Sequence, residues 1–260
     1  LALFFLRGPS ELTAIRSKRH RQLATTRPKI LIFDVDGVLI DVRGTYGRSA
    51  LETVRYLSGK PATYAELRKW KSKPGYNDDW RMTAAWVTSL GRPTTYEEAR
   101  AAFEKFYWGT EGKPGNVRNE KFLITPAEVA RLARRFELNL FTGRNRREYS
   151  FSFDPWPCVS HLRTVVTMDD VKNVKPHPEG LLKILAKRDP ASALYIGDNI
   201  DDALAARAAR VPFVAVVRPG EPGAGQRAAR FRKLGAVAVL PRATVLSAWL
   251  RRRYGSDSRC

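Results

Sequence analysis

The sequence predicts an α/β protein: a doubly wound parallel sheet, Rossmann-like in type, carrying an inserted α-helical cap domain. Three observations predict it. Six short apolar runs are continuous rather than alternating, as in strands covered by helices on both faces. Helical patterns separate the later runs. Finally, about 85 residues separate Asp41 from the helix that starts after Thr125, far more than one crossover needs.

Residues 1–28 read as an N-terminal extension, disordered or foreign to the mature protein. "LALFFL" is like the apolar core of a signal peptide but has no basic stretch before it and no clear cleavage site after it. The α/β core is expected over 29–41 and 122–260. Its strands are "KILIFDVD", "LNLFTG", "TVVTMDD", "ALYIGD", "PFVAVV" and "AVAVL". "TPAEVARLARRF" is the clearest helix between them. Thr125 is its N-cap, Pro126 takes the first helical position and Glu128 completes a capping box. Val129, Leu132 and Phe136 make one apolar face. "PEGLLKILAKR" and "DDALAARAAR" are two more helices. A structureless loop between Asp41 and Thr125 would be abnormally long. Instead, "GRSALETVRYLSG", "TYAELRKWKS", "DDWRMTAAWVTSLG" and "TYEEARAAFEKFYWG" read as four helices, separated by Gly/Pro turns. The cap domain is therefore placed at 42–121, with Trp70, Trp80, Trp86 and Trp108 in its own small core.

Composition narrows the function classes. At 43% hydrophobic and 28% charged, the 260-residue chain is of ordinary globular make-up. No apolar run approaches the roughly 20 residues that span a bilayer. Two cysteines, Cys158 and Cys260, are too few for a disulfide framework, and a reducing, cytoplasmic setting is expected. The net charge of +20 draws anions to the surface. No nucleic-acid fold signature surrounds the basic clusters "RSKRHR", "RNRRE" and "RRRYGSDSR", so they read as a solvated surface.

Four strands end in polar or acidic residues: Asp34 and Asp36, Thr142-Gly143-Arg144, Asp169-Asp170, and Asp198. Carboxyl ends of parallel strands share one edge of the sheet, where ligands bind. Two carboxylates one residue apart repel unless a cation lies between them or one keeps its proton. With Asp198, Asp201 and Asp202 arriving from another strand end, the acids call for a divalent cation. Oxygen donors with few histidines select Mg²⁺ over zinc.

"DVDGVL", "FTGR", "KPHP" and "GDNIDD", in this order, resemble the four motifs of the haloacid dehalogenase superfamily, and the helical insertion is similar to the cap of its subfamily IA. The resemblance covers about 29–240. It implies that Asp34 is the nucleophile, forming an aspartyl-phosphate, and that Asp36 is the general acid/base. Thr142, with the Gly143 amide, would hold phosphoryl oxygens, and Lys175 would steady nucleophile and phosphate. Asp34, the backbone carbonyl of Asp36, Asp198 and Asp202 would hold Mg²⁺, with Asp201 as a substitute for Asp202. Asp36 favours phosphate esters over halides, because an alkoxide leaving group needs a proton. The expected activity is hydrolysis of a small phosphorylated metabolite by a monomer or homodimer. The alternatives are a phosphomutase, a pyrophosphatase, or a basic nucleic-acid-binding protein with a vestigial core.

For substrate contacts the sequence offers Arg43 and Tyr46 just after the nucleophile, and Tyr76 and Asn77 in a cap loop. Asn77 and Asp78 equally fit as caps of the next helix. Arg144 reads either as a substrate contact or as a surface ion pair, and His177 as a helix-start residue.

Overall fold

The computed structural model describes residues 27–255. The extension expected over 1–28 lies almost wholly outside the described residues, as does Cys260. In chain order the elements begin with β1 (Ile30–Phe33) and β2 (Ile40–Asp41). The helices α1 (Arg48–Ser58), α2 (Tyr64–Lys71), α3 (Asp79–Ser89) and α4 (Tyr96–Trp108) come next. A small hairpin of β3 (Gly109–Thr110) and β4 (Lys113–Pro114) leads to β5 (Lys121–Phe122). Then follow α5 (Pro126–Ala133), β6 (Glu137–Phe141), α6 (Arg146–Phe153), β7 (Leu162–Val166), α7 (Glu179–Leu185), β8 (Ala193–Gly197), α8 (Ile200–Ala209), β9 (Phe213–Val216), α9 (Ala224–Lys233), β10 (Ala238–Leu240) and α10 (Leu246–Tyr254).

The six long strands are the six apolar runs. They form one parallel sheet in the order β10-β9-β8-β1-β6-β7. The first strand is therefore central, with Ile30–Phe33 in register with Glu137–Leu140 on one side and Ala193–Ile196 on the other. All four of its residues are buried because helices cover both faces. One layer of core gathers Leu31, Phe33, Leu138, Leu140, Leu194 and Ile196. The other gathers Ile32, Phe141, Tyr195 and the alanines of α8.

The chain leaves and re-enters the sheet layer through β2 and β5, which pair antiparallel (Ile40 with Phe122, Asp41 with Lys121). Between them α1 to α4 bury a cluster of their own, built on Val54, Leu67, Met82, Trp86, Phe103 and Tyr107. Trp80 belongs to it, and Trp70 and Trp108 pack against it. The helix starts follow the local chemistry. Thr63 makes a reciprocal capping box with Glu66. The Asp78 side chain accepts from the amides of Trp80 and Arg81.

Two details depart from the sequence reading. Thr125 caps α5, but only half the expected box forms: the Glu128 carboxylate turns to Arg131 at 2.8 Å. The helices α6, α9 and α10 were not marked by periodicity. The start of α6 is held instead by a reciprocal box between Asn145 and Glu148.

Phe103 is fully buried at the middle of the helical cluster. Phe103→Ala is expected to lower unfolding free energy by about 3–5 kcal/mol, read from the urea midpoint.

Candidate active site

The strand ends meet as the parallel topology demands. Asp34 follows β1, and its amide donates to the Ile196 carbonyl at 2.8 Å. Asp36 follows after one more residue. Gly37 then adopts φ +79°, and a Cβ there would lie 2.4 Å from Asp198 Oδ2. Only glycine lets the first loop approach the end of β8 so closely.

Lys175 arrives from the segment before α7 and is enclosed. Its Nζ lies 2.7 Å from Asp34 Oδ1 and 2.8 Å from Asp202 Oδ1. Burial favours the neutral amine, but the facing carboxylates of Asp202 and Asp34 outweigh it and hold the ammonium above its ordinary range. Asp202 is fully engaged. Its Oδ1 also accepts from the Tyr195 hydroxyl at 2.7 Å, and its Oδ2 from the amides of Asp198 and Asn199 at 3.2 and 3.0 Å.

Asp34, Asp198 and Asp202 each place a carboxylate oxygen within 4.8 Å of the others, a grouping that can hold a metal ion. Three carboxylates and one ammonium leave a net charge of −2, the complement of a divalent cation. The electrostatics agree with that donor set. Burial pushes Asp34 well up from its ordinary value; Lys175 opposes the rise, and Asp202, Asp36 and Asp198 add to it. Burial likewise pushes Asp198 up to about 7, against Arg68 and with Asp202 and Glu221. A cation among these oxygens relieves both.

Asp36 belongs to a second network. Arg144 Nε and Nη2 both donate to its Oδ1, at 3.0 and 2.7 Å. The guanidinium has no exposed side-chain surface. It also donates to Glu120 Oε1 at 2.8 Å and Ser152 Oγ at 2.6 Å, and lies 5.2 Å from the Tyr46 ring. Ser152 donates in turn to Glu120. Thr142 Oγ1 accepts from the Arg144 amide at 3.1 Å. Asp34, Asp36, Thr142, Gly143, Lys175 and Asp198 all line one pocket, closed on the far side by α2 and the loop after it.

Comparison with known proteins agrees with this geometry. Residues 128–216, which hold β6 to β9 and three of the four motifs, match the family of haloacid dehalogenase-like hydrolases. Over that stretch the chain is haloacid dehalogenase-like. An imidazoleglycerol-phosphate dehydratase of Phytophthora nicotianae is 26% identical over 73% of this chain and 43% of its own, so the chain spans under half of that relative. Phosphoglycolate phosphatase 1 of Pseudomonas aeruginosa is 27% identical over 74% of this chain and 71% of its own. A subfamily IA hydrolase structure from Geobacter sulfurreducens shares the fold, with TM-score 0.57, 23% identity, and 86% and 97% of the two chains covered.

Not every residue singled out in the sequence reaches the pocket. Tyr46 and Asn77 line it, whereas Arg43 and Tyr76 do not. Arg43 is turned back onto Asp41 at 2.6 Å, with half its side chain in water. Tyr76 stands edge-on against Trp70, 5.4 Å between centroids, in the helical cluster. Arg144 is not a surface ion pair, because its partners bury it completely. Asp202 rather than Asp201 joins the acidic cluster, and Asp201 faces the loop after α2. Asp78, not Asn77, caps α3. His177 Nδ1 accepts from the Glu179 amide at the start of α7, and Asp170 makes a box with Thr167.

The sequence reading passed over Arg68, Lys71 and Glu120. Arg68 and Lys71 lie three apart on α2, and that spacing puts both on one face, towards the pocket. Arg68 stands 3.9 Å from Asp198 and 3.4 Å from Glu221, and its Nε is buried without a hydrogen-bond partner among the described residues. Lys71 pairs with Asp79 at 2.9 Å.

Glu148, buried beside Arg144, is pushed up to about 7 from 4.5, chiefly by burial, with Asp36 adding and the Asn145 amide, Arg144 and Tyr46 opposing. Its folded value exceeds its unfolded one, so its contribution to stability is complete below about pH 4.5 and is lost as pH rises through about 7. Glu148→Gln stays neutral. It is expected to gain stability on the wild type between about pH 5 and 8, by up to about 3 kcal/mol, in urea unfolding at each pH.

Proposed function

We propose that this protein is a Mg²⁺-dependent phosphatase of a small phosphomonoester, acting through an aspartyl-phosphate. The convergence of Asp34, Asp36, Thr142, Lys175 and Asp198 on one pocket carries the reading. Asp34, Asp198, Asp202 and the backbone carbonyl of Asp36 would hold the cation, and Asp202 also fixes Lys175 and the Asp198 amide. When bound, the ion lowers the repulsion between an anionic nucleophile and an anionic phosphate.

The chain's own residues perform the transfer. The Asp34 carboxylate attacks phosphorus, and the bond to the ester oxygen breaks. Asp36 gives that oxygen its proton. Arg144 occupies Oδ1 of Asp36, so Oδ2 is the oxygen that carries the proton. Asp36 then takes a proton from water as the water attacks the aspartyl-phosphate, which frees phosphate and restores the Asp34 carboxylate. The Thr142 hydroxyl accepts from the Arg144 amide and so turns its proton to a phosphoryl oxygen. Lys175 offsets charge on the nucleophile throughout.

The far wall of the pocket supports a substrate with a second anionic group. The Arg68 Nε is an unfilled donor there, and an acceptor on the substrate would satisfy it. A likeness to a phosphoglycolate phosphatase points to the same class.

The test is phosphate release from p-nitrophenyl phosphate, phosphoglycolate and other metabolite phosphates, with Mg²⁺ or EDTA. Release is expected only with Mg²⁺, with a loss of about 1000-fold or more in Asp34→Asn. Arg68→Ala is expected to raise KM for phosphoglycolate more than for p-nitrophenyl phosphate. Full activity in Asp34→Asn overturns the nucleophile. Independently of turnover, Mg²⁺ is expected to raise the melting temperature of the wild type and not of Asp198→Ala.

A further inference from the structure

Asp201 is the acid of the fourth motif that stays outside the metal-holding cluster, yet it is fully buried. Its partners come from the helical insertion. The Gly75 amide donates to Oδ1 at 2.9 Å and to Oδ2 at 3.0 Å, and the Asn77 amide donates to Oδ2 at 3.2 Å. These donors sit in the loop between α2 and α3, more than 120 residues away in sequence. A carboxylate shared by two amides is a charge-assisted contact, stronger than a neutral hydrogen bond.

The same loop reaches the place where a phosphoryl group would lie. A Cβ on Gly143 would stand 2.6 Å from Asn77 Nδ2, so the Asn77 amide rests directly over the Thr142-Gly143 turn. The backbone of Asn77 is held at both ends: its N–H by Asp201, and its carbonyl by Lys71 Nζ at 3.1 Å. Its side chain lines the pocket.

We propose that Asp201 is a positioning residue that latches the 73–78 loop onto the core and thereby sets Asn77 as a specificity contact beside the phosphoryl group. The role of Asn77 rests on the phosphatase reading; the latch itself does not. Water can replace each of these hydrogen bonds, so the loop can lift for substrate entry and close again. Asp201 touches neither substrate nor metal. It acts through Asn77.

The experiment follows amide hydrogen exchange over 72–78 in the full chain without substrate, in the wild type, Asp201→Ala and Asp201→Asn. Exchange at Gly75 and Asn77 is expected to rise about 10-fold or more in Asp201→Ala, with β1 and β8 as in the wild type. Asp201→Asn, which keeps one acceptor, is expected to fall between. On a turned-over phosphate ester, Asp201→Ala and Asn77→Ala are each expected to lower kcat/KM about 10-fold, mainly through KM, and the double variant to lose no more than either. Unaltered exchange at Gly75 and Asn77 in Asp201→Ala overturns the latch, and additive losses overturn its action through Asn77. If the wild type hydrolyses no phosphate ester, the phosphatase reading falls, and the exchange result still decides the latch.

Discussion

The ammonium of Lys175 between the carboxylates of Asp34 and Asp202 is the contact on which the site's arrangement depends. The ends of β1 and β8 bring Asp34, Asp198 and Asp202 to one edge of the sheet, and Asp34 and Asp202 are buried there. Without the cation from the segment before α7, two buried carboxylates would face each other unpaired, a far larger penalty than any one hydrogen bond offsets. With it, Asp202 becomes a fixed element. Its second oxygen gathers the amides of Asp198 and Asn199, and so shapes the loop that carries Asp198 into the pocket. The lysine thus organises the fourth motif as well as the first.

The two acids of the first motif are kept apart by different cations. Asp34 answers to Lys175, and Asp36 to Arg144. Arg144 also reaches Glu120, immediately before β5, where the chain returns from the helical insertion. One buried guanidinium therefore ties the second acid, the second motif and the return strand together. Asp41, in the outgoing strand β2, is held in a similar way by Arg218 at 3.0 Å and by Arg43. Both strands that lead to the helical segment are anchored by charge next to the site.

The sheet was legible because a parallel strand covered on both faces reads as an unbroken apolar run, and each such run ends where the polar edge begins. The four inserted helices were legible from their Gly/Pro breaks and from caps such as Thr63 and Asp78. Asp34, Asp36, Thr142 and Asp198 were likewise visible, because they sit at or just past strand ends, whereas Lys175 was visible only through "KPHP" and its place in the motif order. What escaped depends on contacts across long sequence separations. Nothing local in "FTGR" says that Arg144 is swallowed by Asp36 and Glu120, or in "GDNIDD" that Asp201 turns to Gly75 while Asp202 turns to Lys175. Arg43 and Tyr76 looked well placed by sequence distance, but Asp41 and Trp70 were nearer partners. The short helix α6 escaped because polar residues dominate it, and Glu148 and Ser152 are buried on it by Arg144 rather than by apolar packing.

The central place of β1 has a consequence for how the protein is made. Ile30–Phe33 can be covered on both edges only after Glu137–Phe141 and Ala193–Gly197 have emerged from the ribosome. The cluster of α1 to α4 draws on contacts within one stretch and can gather much sooner. Between the emergence of α4 and that of β8 the chain therefore holds these helices beside a wholly apolar strand that lacks a partner on at least one edge. That strand is the segment most exposed to wrong partners, and its protection rests on how quickly the last third of the chain arrives.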